Sequence, residues 1–115
     1  MFVGTHVVVY SRNPDADRKF LRDVLQLGTV DAGGGYLIFA LPSAEASLHE
    51  AGSAEVHPEL YLMCRDINEF VALMQQHDVA TDPVQKTGWG LVTNVKLPGG
   101  SKLGVYQPLH QRPAQ

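Results

Sequence analysis

Two side chains that can ligate a metal ion occupy corresponding places in this 115-residue sequence. His6 opens the apolar run "HVVVYS", and Glu59 opens the similar run "ELYLMC". Short apolar and β-branched runs of this kind predict β-strands. A neutral imidazole and a carboxylate are both good ligands for zinc, nickel, iron or manganese. The pair therefore raises the question of a metal site to which both halves of the chain contribute.

Each of these residues also has a purely structural interpretation. His6 could hydrogen-bond a backbone carbonyl at a strand edge. Glu59 could pair with an arginine or a lysine, or face solvent, because Pro58 marks the very start of its strand. The single cysteine, Cys64, lies within an apolar strand, which favours a buried structural thiol over a nucleophile. One cysteine allows no disulfide within the chain, which suits a reducing cytoplasm.

Composition narrows the class of protein. The length fits one domain with its own hydrophobic core. The formal net charge of -3 argues against a partner that is nucleic acid or an anionic membrane surface. The sequence has no apolar run long enough for a membrane span, and its first residues lack the pattern of a signal peptide. We therefore expect a cytoplasmic protein.

The order of predicted elements repeats once along the chain. In the first half a strand at 6–11 precedes a helix within 13–28 and three strands in the segments 28–35, 36–42 and 44–52. In the second half a strand at 59–64 precedes a helix within 65–78, an edge-like segment at 79–88 and a glycine-linked hairpin at 89–108. Shifting one half by 53 residues (59 − 6) places His6 on Glu59. The chain is therefore a single domain of two β-α-β-β-β modules, about 5–51 and 56–109, and its fold class is α+β.

This organisation resembles the vicinal oxygen chelate superfamily, which includes glyoxalase I, bleomycin-resistance proteins and extradiol dioxygenases. The resemblance rests on "HVVVYSRNPDADRKFLRDVLQLG" opening the first module and "ELYLMCRDINEFVALMQQHDV" opening the second. The closing "LPGGSKLGVYQP" is similar to the terminal Asp-Pro-x-Gly-Asn strand signature of that superfamily. The resemblance covers about residues 5–109. It implies that the two modules form a curved, partly closed mixed sheet with helices outside and a concave cleft inside.

Alternation along the strands indicates which side chains would line such a cleft. Leu60, Leu62 and Cys64 share an apolar face that suits packing under a helix. The opposite, mixed face of that strand carries Glu59 together with Tyr61 and Met63, which suits a lined pocket. By the same parity His6 lies with Val8 and Tyr10, Ser47 with His49, and Gly104 with Tyr106. We expect the ligand-binding residues to be His49, Tyr61, Met63, Trp89 and Tyr106.

Trp89 is a separate case, because it lies between Gly88 and Gly90. Flanking glycines favour a mobile loop lip over packed core, and an indole ring at such a lip could stack on a ligand. A core position for Trp89 and Tyr106 is the alternative. His57 and His77 are expected to face solvent, and His110 falls in a polar, proline-containing tail that predicts fraying.

The resemblance also implies where a metal would be held. Its metal enzymes draw ligands from the first and last strands of each module, at the positions of His6, Ser47, Glu59 and Gly104. Serine is a poor ligand and glycine offers no side chain, whereas the family pattern usually has glutamate at the last of these places. His49 could substitute by reaching back, which would give a three-ligand site of His6, Glu59 and His49. Glu59 would then be the catalytic residue, as metal ligand or proton carrier.

Three functions remain open. The first, favoured by the missing carboxylate at Gly104, is binding of a small organic ligand in the cleft, with a degenerate or absent metal site and no cofactor. The second is a lyase, isomerase or dioxygenase that uses one divalent zinc, nickel, iron or manganese ion on a substrate with vicinal oxygens. The third, which the aromatic lining disfavours, is an interaction domain without chemistry. We also expect a homodimer, little bound metal in the purified protein, and restored metal binding in Gly104→Glu.

Overall fold

Two helices and six strands follow one another along the part of the chain that the computed structural model describes, residues 6–45, 47 and 59–112. In chain order they are α1 (Pro14–Lys19), which continues into a π-helical turn (Phe20–Val24), β1 (Thr29–Asp31), β2 (Leu37–Phe39), β3 (Tyr61–Met63), α2 (Ile67–Gln76), β4 (Gln85–Lys86), β5 (Gly90–Lys96) and β6 (Lys102–Pro108). Neither helix is long and apolar enough to cross a membrane.

The second module has the predicted β-α-β-β-β order. Its strands form one sheet in the order β3-β6-β5-β4, with β3 parallel to β6 and the other pairs antiparallel. The helix α2 begins where the carboxylate of Asp66 accepts hydrogen bonds from the backbone N–H groups of Asn68 and Glu69, at 2.9 and 3.4 Å. The β5–β6 hairpin turns through Gly100, whose φ of +102° favours glycine. The predicted elements of this module are thus confirmed.

The first module matches the prediction only in part. Asn13 caps α1 by accepting a hydrogen bond from the Ala16 N–H. The strands β1 and β2 form the predicted hairpin, which turns through the segment 33–35, where all three glycines have positive φ. The predicted strand at 6–11 is wrong, because these residues form no ladder. Most of the predicted strand at 44–52 lies outside the described residues.

A strand needs a hydrogen-bonding neighbour, and the backbone groups of Tyr10 and Arg12 have other partners. The hydroxyl of Ser101 donates to the carbonyl oxygen of Tyr10 at 2.6 Å. The backbone N–H of Arg12 donates to the carbonyl oxygen of Gly99 at 3.1 Å. These bonds attach the first residues of the chain to the β5–β6 turn of the second module instead of to a strand of their own.

The hydrophobic core lies between the four-stranded sheet and both helices. Its buried members are Phe20, Met74, Val95, Leu97 and Leu103. Leu60 and Leu62 pack against this cluster, whereas Glu59 and Tyr61 are exposed. The alternation predicted for β3 is therefore confirmed, and its polar and aromatic residues lie on the face away from the helices.

Candidate ligand site

Three aromatic rings meet on the helix-free face of the sheet, and we call Tyr61, Trp89 and Tyr106 the aromatic cluster. The ring centroid of Tyr61 lies 5.9 Å from that of Trp89 and 5.9 Å from that of Tyr106. The ring centroids of Trp89 and Tyr106 are 5.0 Å apart. The ring planes cross at 82°, 89° and 78°, the edge-to-face arrangement that aromatic pairs prefer. Tyr106 is 9% exposed, while Tyr61 and Trp89 are each 37% exposed. The cluster is thus rooted in the sheet and presents two rings to solvent.

Two glycines make room for the tyrosine rings. Tyr61 on β3 pairs with Gly104 on β6, and a Cβ atom at Gly104 would collide with the Tyr61 ring. In the same way a Cβ atom at Gly90 would collide with the Tyr106 ring. Each ring therefore lies across a neighbouring strand at a position that has no side chain. The glycine that breaks the expected metal constellation is the one that seats Tyr61.

The backbone around Trp89 is fixed by one threonine. The hydroxyl of Thr87 donates to the carbonyl oxygen of Gly90 and accepts from the N–H groups of Trp89 and Gly90, at 3.0, 3.2 and 3.0 Å. The carbonyl oxygen of Trp89 also accepts from the N–H of Leu109 at 3.0 Å. Trp89 lies in the turn between β4 and β5, and because the backbone of this turn is anchored, movement of the indole would be rotation about its side-chain bonds. Its role as a lip over a ligand stays a prediction.

The C-terminal segment contributes residues that the sequence did not indicate. Nδ1 of His110 lies 2.9 Å from the carbonyl oxygen of Gln111, and Nε2 lies 3.1 Å from the hydroxyl of Tyr106. A carbonyl oxygen can only accept, so Nδ1 carries the proton and Nε2 accepts from the tyrosine. Nε of Arg112 donates to Oε1 of Glu45 at 2.7 Å, which joins this segment to the first module. The prediction of a frayed tail is therefore wrong as far as residue 112.

His110 lies four residues after Tyr106, so in an extended segment both side chains point to the same face. This spacing is the sequence feature that could have indicated their contact. A polar segment with a proline indicated fraying more strongly, because sequence alone does not show the hydroxyl that His110 reaches. The ring of His110 lies tilted beside that of Tyr106, with centroids 5.9 Å apart. It extends the aromatic cluster toward the chain end.

Burial and nearby carboxylates keep both tyrosine hydroxyls protonated. Burial, and then the charge of Glu59, raise the pKa of Tyr61. Burial, and then the charge of Glu45, raise the pKa of Tyr106, with Arg112 acting in the opposite direction. At neutral pH these hydroxyls can donate hydrogen bonds.

The described residues do not fit the metal site that the resemblance implied. The place next to Gly104 is taken by the Tyr61 ring. Glu59 and Ser47 are exposed. His6 lines a cavity that also includes Leu60 and Leu62, the residues on the opposite face of the strand from Tyr61. No three histidine, cysteine, aspartate or glutamate side chains of the described ranges form a group that could hold a metal ion.

The remaining candidates fall in other places. His49 and His57 lie outside the described residues. Met63 is half-buried and pairs with Tyr106 in the β3–β6 ladder, so it lies in the row of residues that carries the cluster. Cys64 is half-buried, and burial, and then the charge of Asp66, raise the pKa of its thiol. A raised pKa leaves little thiolate at neutral pH, in keeping with a structural cysteine.

Several solved structures share this architecture. TnmS3, an antibiotic binding protein from Streptomyces sp. CB03234, superposes with a TM-score of 0.69 at 19% identity, over 94% of this chain and 98% of that one. Lactoylglutathione lyase from Agrobacterium tumefaciens gives 0.64 at 14% identity, over 91% and 92% of the two chains. This chain has the glyoxalase/bleomycin-resistance fold. A member of the glyoxalase/bleomycin resistance protein/dioxygenase superfamily from Sphaerobacter thermophilus gives 0.60 at 18% identity, over 92% and 98%.

This likeness confirms the fold that the resemblance implied, with a curved and partly open sheet. No protein-family model matches the sequence, and no curated protein matches it. The fold therefore comes from the architecture, and the function has to be argued from the site.

Proposed function

We propose that this protein binds a small organic molecule with a planar ring against the aromatic cluster, without a metal ion at the position of Gly104. The observation that carries the proposal is the Tyr61 ring seated on Gly104, where the metal enzymes of the superfamily usually have glutamate. A ring in that place replaces a charged ligand position with an apolar surface. The likeness to an antibiotic binding protein supports the same class of function.

The chemistry of the cluster suits a ligand that is flat and carries a few polar atoms. The exposed faces of Tyr61 and Trp89 offer stacking surface. The tyrosine hydroxyl of Tyr61 can donate a hydrogen bond, and the carboxylate of Glu59 can accept one. Met63 supplies a deformable apolar wall. We assign to Glu59 the polar recognition of the ligand, and we retain His49 as a predicted contact.

Calorimetric titration of planar aromatic compounds, with and without two adjacent carbonyl groups, tests this proposal. A ligand that stacks on the cluster should bind roughly 1–3 kcal/mol more weakly to Trp89→Ala or Tyr61→Ala. Tyr10→Ala is the matched control, because Tyr10 is exposed and its ring has no contact with the cluster. Binding should also shift the fluorescence of Trp89, the one tryptophan. If the wild type and the three variants bind the compound with equal affinity while their folds are intact, Trp89 and Tyr61 have purely structural roles.

We also propose that the working form is a homodimer in the cytoplasm. The support for the dimer is the apolar surface of the first module, where Val7, Val8, Val9 and Val30 are exposed. In addition, β3 is an edge strand of the described sheet. Apolar patches and open edges of this kind are usually covered by another chain.

A further inference from the structure

A partly open cavity lies on the other face of the sheet from the aromatic cluster, with the exposed residues Val7, Val8 and Val9 along its rim. It is a cavity of about 190 Å³ between the first residues of the chain, α1, β2 and the core side of the sheet. Its apolar walls are Val7, Val8, Val9, Pro14, Leu21, Leu27, Leu37, Ile38, Phe39, Leu41, Leu60, Leu62, Leu97 and Leu103. An engineered apolar cavity of about 150 Å³ is large enough to bind benzene. This cavity therefore has room for a single ring with a short substituent.

One wall of the cavity carries a buried carboxylate. Asp17 is only 6% exposed, and its Oδ1 accepts a hydrogen bond of 2.6 Å from the backbone N–H of Gly99. Its Oδ2 is fully enclosed and has no hydrogen-bond partner in the described part of the chain. A buried carboxylate oxygen without a donor costs free energy and needs an explanation.

The neighbouring cation does not neutralise it. Arg18 also lines the cavity, but its Nη1 lies 3.0 Å from Oδ1 of Asp15. The guanidinium carbon lies 5.5 Å from the ring centroid of Tyr36, within the range of a cation–π contact. Arg18 thus interacts with Asp15 and Tyr36 and not with Oδ2 of Asp17. This oxygen therefore remains without a hydrogen-bond donor among the described residues.

Two residues of the cavity lining, Ser11 and Asp17, pack against a glycine of the β5–β6 turn. A Cβ atom at Gly99 would collide with Oγ of Ser11 and with Oδ2 of Asp17, so only glycine leaves room beside these two oxygens. Oγ of Ser11 already accepts from the N–H of Asn13 at 3.0 Å. The result is an apolar cavity with acceptor oxygens gathered in one corner.

We propose that this cavity binds a small primary amine with an apolar body about the size of one ring, whose ammonium group pairs with the carboxylate of Asp17. A buried charge is stable when it is paired and hydrogen-bonded, and a charge-assisted hydrogen bond is about twice as strong as a neutral one. The site is separate from the aromatic cluster, because Leu60 and Leu62 face it and Tyr61 does not. It stands whether or not a planar ligand binds to the cluster.

Titration of ¹⁵N-labelled protein at pH 7 with benzylamine, benzyl alcohol and toluene tests the site by NMR. The dissociation constant of benzylamine should be roughly tenfold or more below those of the two neutral compounds, which is the scale of a hydrogen bond to a charged group. The Gly99 amide should shift on binding, because it bonds the same carboxylate, while the Trp89 indole signal stays in place. Equal affinity for the three compounds, or shifts confined to Trp89, would overturn the proposal.

The Asp17→Asn variant separates recognition from structure. Asparagine retains an oxygen that can accept from Gly99, but it places an NH₂ group where Oδ2 was. The preference for benzylamine should then disappear, whereas Asp23→Asn, at a carboxylate that pairs with Arg22 outside the cavity, should keep it. An unchanged preference in Asp17→Asn would contradict the assignment. If that variant does not fold, Ile38→Phe, which fills the cavity and leaves Asp17 in place, should abolish binding of benzylamine, and retained binding would exclude the cavity.

Discussion

The two halves of the chain, for which the sequence predicts the same order of elements, differ in how they bury their side chains. In the second module β5 and β6 pair over seven residues and place Val95 and Leu103 in the core. In the first module β1 and β2 pair over three residues, and neither strand contains a buried residue. The same predicted succession of strands thus gives a packed sheet in one half and, in the described part of the other half, a small hairpin.

Helix α1 and its π-helical turn explain how the first module is nevertheless held. Phe20 lies in the core cluster of the second module's sheet. Asp17 bonds the backbone of Gly99 in the β5–β6 turn. The first module is therefore attached through its helix, and the comparison teaches that a repeated element order does not fix which half supplies the core.

Phe20→Ala should have the largest effect of the changes that test this comparison. Removing a buried phenylalanine typically costs about 3–5 kcal/mol of unfolding free energy, a large part of the stability of a domain this size. Val30→Ala is the control in β1, where the side chain is 64% exposed, and it should change stability by less than about 0.5 kcal/mol. Urea denaturation measures both. Similar small losses would mean that the first module is not anchored through its helix.

A pair of glycines, one in each module, gives the next largest difference. Gly104→Ala places a Cβ atom against the Tyr61 ring and should destabilise the protein by roughly 1–3 kcal/mol, the range for overpacking. Gly28→Ala meets only the Cβ atom of Ala40 at 3.9 Å, an ordinary contact, and should be close to neutral. Thermal unfolding compares the two. Equal stability of both variants would show that Tyr61 moves aside without cost.

The Gly104→Glu variant tests whether a metal ion can bind where the Tyr61 ring lies. The sequence predicted that this substitution restores metal binding, but the structure requires the Tyr61 ring to leave its seat first. We therefore expect Gly104→Glu alone to bind no more zinc or nickel than the wild type. Elemental analysis after dialysis against each metal measures this. A full equivalent of tightly bound metal in the wild type would instead favour the metal-enzyme interpretation, with His49 as the third ligand.

The exposed apolar surface of the first module gives a third test. If a second copy covers it, sedimentation at micromolar concentration should report about twice the monomer mass of 12.6 kDa. Val8→Glu should raise the dissociation constant roughly tenfold or more, because an unpaired buried charge opposes association. Val84→Glu, at an exposed apolar position of the second module, is the control and should leave the mass unchanged. A wild-type monomer at these concentrations would remove the proposal of a dimer.

Sequence reasoning was most successful where a single periodicity decides the outcome. The alternation along β3 put Leu60 and Leu62 in the core and Tyr61 on the other face, because side chains of a strand alternate strictly. The position of Trp89 between two glycines pointed to a lip, and the structure brings it together with Tyr61 and Tyr106. These predictions needed no knowledge of what lies on the neighbouring strand.

Predictions that depended on a neighbouring strand failed more often. Residues 6–11 have a strand composition, but a strand exists only with a ladder partner, and these residues bond the β5–β6 turn instead. The glycine at 104 was interpreted as a missing ligand, since nothing in the sequence shows that the Tyr61 ring lies across it. No pattern in the sequence singles out Asp17, because its burial depends on Gly99, far along the chain.

The smallest expected effect concerns the titration of Tyr61 and shows what Glu59 does. Burial, and then the Glu59 charge, raise the pKa of this hydroxyl above its ordinary value of 10.0. The neutral hydroxyl is therefore favoured in the folded state, so its contribution to stability is complete below pH 10 and is lost as pH rises through the folded pKa. Glu59→Gln removes the charge and leaves the burial, so the pKa of Tyr61 should fall only part of the way back.

Absorbance of tyrosinate followed from pH 8 to 12 measures this shift, and Tyr61→Phe identifies which step of the titration belongs to Tyr61. Glu45→Gln is the matched control, because the Glu45 charge acts on Tyr106 and not on Tyr61. A Tyr61 step that does not move in Glu59→Gln would mean that the carboxylate points away from the cluster. Glu59 would then be a solvated residue at the start of β3, and the polar recognition that we assign to it would have to come from another side chain.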